Sequence, residues 1–364
     1  MDIKLKNWLQ EHGGPAIQLR LCSVNGSKKD YLNAISTLLE IEEVHSLLNY
    51  FDPFRTSGRD IKALEHLIHY YKDTCLDNFF PLIMDLGFKA GITIFDEKMV
   101  SVVDTFKYVF SLKNESTHCY NYTLILHRYF FISGYLFPEV IESLENRLNA
   151  IHKSAKEKIF EIYQDSSKLP KKPKIWTEVG VLKDELNPFK ITAQKPLPNI
   201  YDIWALAYYI NICKDKAIMK KINDIVAYIL EPAFQNIREG YGLLWVKERR
   251  IYHACGWSPT LPLYDNEGNQ FQSGTYFNLD CIDFMSNFKT VHKSKWFQNC
   301  LRHLEQYKTD KGTYIFPKEY LHKKYFDKAF LKDKYINLKR NERELLKREL
   351  VSTMKMMEIY NRMD

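Results

Sequence analysis

Chemistry-bearing side chains crowd most closely between residues 241 and 264. There Tyr241, Trp245, Tyr252, Trp257 and Tyr264 stand beside Lys247, Arg249, Arg250 and His253. Aromatic faces next to fixed cations can hold an apolar or anionic ligand. In that reading Trp257 and Tyr252 supply stacking surface, with Trp245, Trp204 and Tyr264 as further lining. His253 and Asp202 supply proton-transfer or hydrogen-bonding groups, and Arg249 anchors an anionic end. The plainer alternative makes the same rings a core plug.

Other constellations carry less. His66 and His69 lie three apart in EHLIH (65–69), a spacing that lets two imidazoles share one helix face, but no third ligand accompanies them, and paired histidines on a helix are more often hydrogen bonders. The sequence therefore implies no metal. No G-x-S-x-G elbow occurs, and Ser258 has no identifiable base. Neither a phosphate loop nor a dinucleotide fingerprint follows from Gly240-Tyr241-Gly242, so no nucleotide cofactor is implied. The seven cysteines are scattered without a C-x-x-C pair, against both a disulfide framework and a cysteine-rich zinc module.

Helices must position these groups, because apolar spacing of three and four recurs throughout. Met99, Val103, Phe106 and Phe110 keep it, as do Ile141, Leu144, Leu148, Ile151, Ala155, Ile159 and Ile162. Ile218, Ile222, Ile225 and Ile229 form a third stripe, and Leu346, Leu350, Met354 and Met357 a fourth. Further helices are expected near 30–50, 60–72, 76–86, 120–133, 200–213 and 295–307. No run alternates as a strand should. Asp52-Pro53, Gly87, Gly134, Gly240–Gly242, Gly256–Pro262 and Gly312 punctuate the stripes. Residues 166–199 carry five prolines and no long period, which predicts a long irregular segment.

Bulk properties bound the rest. At 364 residues, with 45% hydrophobic and 27% charged residues, the chain can bury a large core. No apolar stretch approaches the roughly 20 residues that span a bilayer. The opening MDIKLKNWLQEHGG does not read as a signal peptide, so a cytoplasmic protein is expected. The formal charge is +7, and residues 311–364 hold 14 Lys plus Arg against 8 Asp plus Glu. The alternation in NLKRNERELLKREL reads as a solvated helix face, and nucleic acid is not an expected partner.

Certain segments resemble a known superfamily: NWLQEHGGPAIQLR (7–20), Gln235 followed by Gly240-Tyr241-Gly242, TDKGTYIFPKEYL (309–321) and ELLKRELVSTMKMMEIYNR (344–362). Together they are similar to uncharacterised bacterial proteins related to squalene cyclases and prenyltransferases. The resemblance implies an all-α fold, an α/α toroid in which helical hairpins close into one domain spanning 1–364. It also implies a central cavity, with Asp202 and Trp204 at the start of IYDIWALAYYI (200–210) facing the same mouth as the 241–264 segment. The superfamily's catalytic signatures are missing. No Asp-x-Asp-Asp cluster occurs, and Asp96-Glu97 and Glu42-Glu43 read as helix-start charges. The zinc-binding Asp-x-Cys order is replaced by Asp280-Cys281-Ile282-Asp283, in which the two adjacent side chains diverge too far around a helix to share an ion. The expectation is a toroid that binds, or binds and transforms, a small apolar or isoprenoid-like ligand in its cavity. The alternative is a non-catalytic helical scaffold for a protein or peptide.

Overall fold

A computed structural model describes residues 3–25, 28–56, 60–70, 72, 74–111, 117–189, 193–262, 264, 278–321 and 344–363. Helices dominate it, and one antiparallel strand pair is the only sheet among these residues, so the chain is all-α in class. No described helix is long and apolar enough to cross a membrane. Most of the basic stretch after Lys311, residues 322–343, lies outside the described residues, as do 263 and 265–277.

The chain divides into two compact units: Met1–Tyr108 with Ile132–Tyr135 and Asp265–Asp364, and Val109–Phe131 with Leu136–Tyr264. In the first, helices Ile3–His12, Pro15–Asn25 and Glu344–Met363 pack through Leu9, Ile17, Leu21, Leu350, Val351, Met354 and Met357. The stripe expected near the C-terminus is thus a buried face. The same helix carries charge inward: Lys355 Nζ lies 2.7 Å from Asp283 Oδ2, and Arg362 binds the other oxygen of that carboxylate. Arg20 joins Glu358 at 2.5 Å. Nearby, Phe51 meets Phe79, Phe80 and Phe95 edge-on.

In the second unit, helix Pro138–Lys156 packs along helix Lys216–Ile229. Val140, Leu144, Leu148 and Ile151 are buried on the first, and Ile222, Ile225, Val226 and Ile229 on the second. The first helix stops before the end of its apolar stripe. Lys158 adopts φ +52°, its N–H bonds Ala155 O, and Ile159 N–H bonds Ser154 O, a left-handed closure of the last turn. Ile162 is therefore buried on extended chain beside the bridge of Tyr163 to Leu182, where the spacing predicted helix. Apart from isolated bridges at Val181 and Leu182, residues 166–189 and 193–199 carry the short 3-10 turns Ser166–Lys168, Lys174–Trp176 and Asp184–Leu186 and no longer element.

The strand pair, β1 (Leu243–Val246) and β2 (Ile251–Ala254), was not foreseen by the periodicity. Each strand has four residues, too few for alternation to declare itself, and the turn Lys247–Arg250 lacks an Asn-Gly signal. Gly242 makes the arrangement possible. It sits at φ +83°, and a β-carbon there would meet Gly180 O at 2.5 Å. This close approach lets Leu243 N–H bond Gly180 O at 3.0 Å and Leu243 O accept from Leu182 N–H at 2.8 Å. β1 is thereby tied to the 180–182 segment on the side away from β2.

Candidate functional site

The eight residues singled out above all fall in the second unit, and the fold separates them into three settings. Asp202 and Trp204 lie in its interior. Asn199 and Asp202 form a capping box at the start of helix Ile200–Tyr209, in which Asn199 N–H donates to Asp202 Oδ2 at 2.8 Å. Both carboxylate oxygens also bind Arg147: Nε to Oδ1 at 3.0 Å and Nη2 to Oδ2 at 2.7 Å. The Arg147 and Asp202 side chains are 2% and 0% exposed. Arg147 Nη2 further donates to Pro188 O and Leu197 O, which fastens the irregular segment to the helix pair. Both oxygens of Asp202 are thus engaged in holding the helix start and Arg147 in place.

Trp204 is covered by a second buried cation. The Arg128 guanidinium stands 3.2 Å from the centre of the Trp204 ring and reaches the Tyr129 and Tyr201 rings at 5.0 and 5.9 Å. Beside it, His127 Nε2 and Ser143 Oγ lie 2.9 Å apart. Burial, with the nearby Arg147 charge adding, pulls the His127 imidazole down to about 3, so it is neutral near pH 7. Sequence reasoning passed over this centre, although it left a trace: Arg147 interrupts the apolar face of Leu144, Leu148 and Ile151, and Arg128 interrupts TLILHRYFFI (123–132).

Trp257 and Tyr264 occupy the loop after β2. Trp257 is half-buried, with its ring edge-to-face against Phe189 at 5.6 Å and Tyr201 at 5.2 Å, and its carbonyl accepts from Ile200 N–H at 2.8 Å. Its φ of +61° is unusual for a bulky residue. Tyr264 donates to Leu230 O, and burial, with Glu231 nearby, raises its phenol above the ordinary tyrosine range.

The strand pair holds the other four. Trp245 and Tyr252 face each other across the ladder with ring centres 4.7 Å apart, and pack over Val179, Val181 and Leu243. The Tyr252 hydroxyl donates to Pro170 O at 2.5 Å. His253, the next residue along β2, points to the opposite face and is exposed opposite Leu244. Arg249 lies in the exposed turn with Lys247, Glu248 and Arg250. The fold therefore brings Trp245 to Tyr252, but it does not join His253, Asp202 and Arg249 into one proton-transfer site.

The turn and the adjoining 171–176 segment form a basic arm. Lys171, Lys174, Lys247, Arg249 and Arg250 are exposed, and none of them forms an ion pair with a described residue. Elsewhere in this unit Lys158 pairs with Glu231, Lys195 with Glu157 and Lys220 with Asp224, while Lys214 and Lys216 are also exposed and form no ion pair with a described residue. Apolar side chains project from the same arm, Ile175 at 81% exposure and Ile251 at 40%.

The remaining constellations of the first unit take structural partners. His69 bonds Asp77 at 2.8 Å, while His66 packs edge-on against Tyr70. Asp283 is held by Lys355 and Arg362, and burial raises the Cys281 thiol well above its ordinary range, which keeps it protonated. Asp96 accepts from Gly91 N–H and the Tyr135 hydroxyl. No family model, curated protein or solved structure matches the chain.

Proposed function

We propose that the chain is a non-catalytic helical scaffold that binds a protein partner through an acidic segment received on the basic arm of the second unit. The observation that carries this reading is the division between the two kinds of charge. Asp202 and Arg147 neutralise each other in the interior, whereas Lys171, Lys174, Lys247, Arg249 and Arg250 are grouped on one exposed arm and form no ion pair with a described residue. An unmatched cationic surface attracts and orients an anionic partner, and the exposed Ile175 and Ile251 offer the apolar contact that a purely ionic encounter lacks. The alternative of a small apolar or isoprenoid-like ligand draws on the same aromatic residues. Against it stands the fact that Trp245, Tyr252, Trp257 and Trp204 already meet other rings or a guanidinium. A nucleic acid would stack bases on exposed rings, and the arm's Trp245 and Tyr252 are packed on each other. The closed α/α toroid and a cytoplasmic location belong to the proposal as the resemblance and the composition imply them.

The test is a comparison of ligand classes on the full chain. Fluorescence anisotropy with labelled Glu-rich peptides is expected to show binding that weakens steeply between low and physiological salt, because exposed charges are screened over about 8–10 Å. A melting temperature raised by isoprenoid diphosphates, together with no acidic-peptide binding, would replace the scaffold reading with the ligand one.

A further inference from the structure

The scaffold reading leaves open how the arm would grip its partner, and the backbone of β2 offers a means. In an antiparallel pair every second residue turns its N–H and C=O towards the neighbouring strand, and the others turn theirs away. Cys255 N–H donates to Gly242 O at 2.8 Å, which sets the parity. With the pairing Leu244 to His253 and Val246 to Ile251, His253 and Ile251 face β1, while Tyr252 and Ala254 face outward. Leu243 obeys the same parity from the other strand, since its amide and carbonyl turn away from β2 to Gly180 and Leu182. The outer side of β1 is therefore partly occupied. Among the described residues no hydrogen bond reaches the N–H of Tyr252 or Ala254, and Ala254 is exposed.

Natural edge strands are commonly protected by lysine, proline or a bulge. Ile251-Tyr252-His253-Ala254 contains no lysine or proline, and its register with β1 runs without a bulge. We infer that the outer edge of β2 is a docking strand that receives an extended acidic segment of a partner protein by strand addition. Tyr252 and Ala254 present two outward N–H and C=O sets about 7 Å apart, the repeat with which a third strand pairs. Charge sets the register. Lys247, Arg249 and Arg250 stand at the turn end of the edge, so acidic residues of the segment belong at that end. Ile251 and His253, exposed on one face, meet alternate side chains of the segment, with an apolar residue beside Ile251. This inference rests on the scaffold reading and specifies its contact line.

The probe is a display library of ten-residue peptides in which Val or Thr alternates with randomised positions, selected on the full chain. Selected peptides are expected to carry Asp or Glu at one end. Each is then remade with single N-methyl groups, which abolish one amide donor at a time without touching the protein. Strand addition predicts that methylation at alternate positions weakens binding roughly tenfold or more while the intervening positions tolerate it. On the protein side, Ala254→Pro removes an outward N–H and leaves the inner ladder intact, and should weaken binding by a similar factor with an unchanged circular dichroism spectrum. Arg249→Glu should reduce it several-fold at low salt and little at high salt. Acidic peptides that bind with no alternation in the methyl scan would overturn the docking strand and leave the scaffold reading standing. Failure of every acidic peptide, with single-stranded oligonucleotides or isoprenoid diphosphates binding instead, would overturn both.

Discussion

Replacing Asp202 by alanine separates a structural anion from a catalytic one. The substitution removes both contacts to Arg147, at 3.0 and 2.7 Å, and strands a guanidinium that is 2% exposed. Breaking a buried pair from one side costs about 3–5 kcal/mol, because the remaining charge stays out of water. The lost bond from Asn199 N–H, at 2.8 Å, adds a helix-cap contribution of about 1 kcal/mol. Against a total stability of about 5–15 kcal/mol for a domain, a loss of about 4–6 kcal/mol is large. With a urea dependence of about 2 kcal/mol per molar, the unfolding midpoint of the second unit should fall by about 2–3 M. Circular dichroism and tryptophan fluorescence would follow the transition. Asp202→Asn keeps acceptors for the cap but leaves Arg147 uncompensated, so it should lose most of the same stability. Adding Arg147→Met to that background should recover part of the loss, since the uncompensated charge is then gone. An Asp202→Ala midpoint within about 0.5 M of the parent, or no recovery in the double variant, would refute the assignment. A catalytic carboxylate held in a polar opening would behave in that way.

Three further outcomes are expected. Trp257→Ala removes the edge-to-face contacts with Phe189 and Tyr201 and should destabilise the second unit by about 3 kcal/mol. Trp257→Gly should be about 1 kcal/mol less damaging in urea titrations despite its smaller side chain, because glycine carries no penalty at φ +61°; equal losses would contradict the strain. His127 stays neutral when folded down to about pH 3, whereas an unfolded histidine protonates near 6.5, so the unfolded state binds the extra proton between those values. Stability of the second unit should therefore fall on acidification through that window by up to about 1.4 kcal/mol per pH unit, and His127→Gln should flatten this slope in pH-dependent urea titrations. Met354→Ala opens the core shared by Leu9, Ile17, Leu350 and Met357 and should cost about 2–5 kcal/mol in the melting of the first unit; unchanged melting would mean that the closing helix is not integral to that core.

Helices were legible because their signal is repeated. Leu144, Leu148 and Ile151 lie one turn apart over several turns, and a buried face of that length forces the same spacing on any sequence that makes it. The end of that helix was not legible, since Ile159 and Ile162 continue the rhythm while Lys158, an ordinary helix former, closes the last turn in a left-handed conformation. Periodicity records burial, and Ile162 is buried on extended chain as thoroughly as it would be on helix. The Arg147–Asp202 pair escaped notice for another reason. Its members stand 55 residues apart, and neither residue type nor local spacing announces a partner so distant.

The aromatic and cationic cluster at 241–264 shows why closeness in sequence is a poor guide to a site on a hairpin. Adjacent strand residues face opposite ways, so Tyr252 and His253 could never share a surface once β2 formed, whatever their chemistry. Turn residues, by contrast, leave the body of the unit altogether, which carries Lys247, Arg249 and Arg250 outward together. One local decision, the pairing of Trp245 with Tyr252, therefore sorts the cluster into a packed aromatic face, an exposed face bearing Ile251 and His253, and a cationic tip. That sorting disfavours a single pocket, which would need all three groups to converge on one point. It favours contact along a line, since backbone edge, exposed side chains and cations follow one another in order along β2 and its turn. A partner suited to a line is an extended chain, and it is for this reason that the methyl-scanned peptides, more than any small ligand, put the arm to the test.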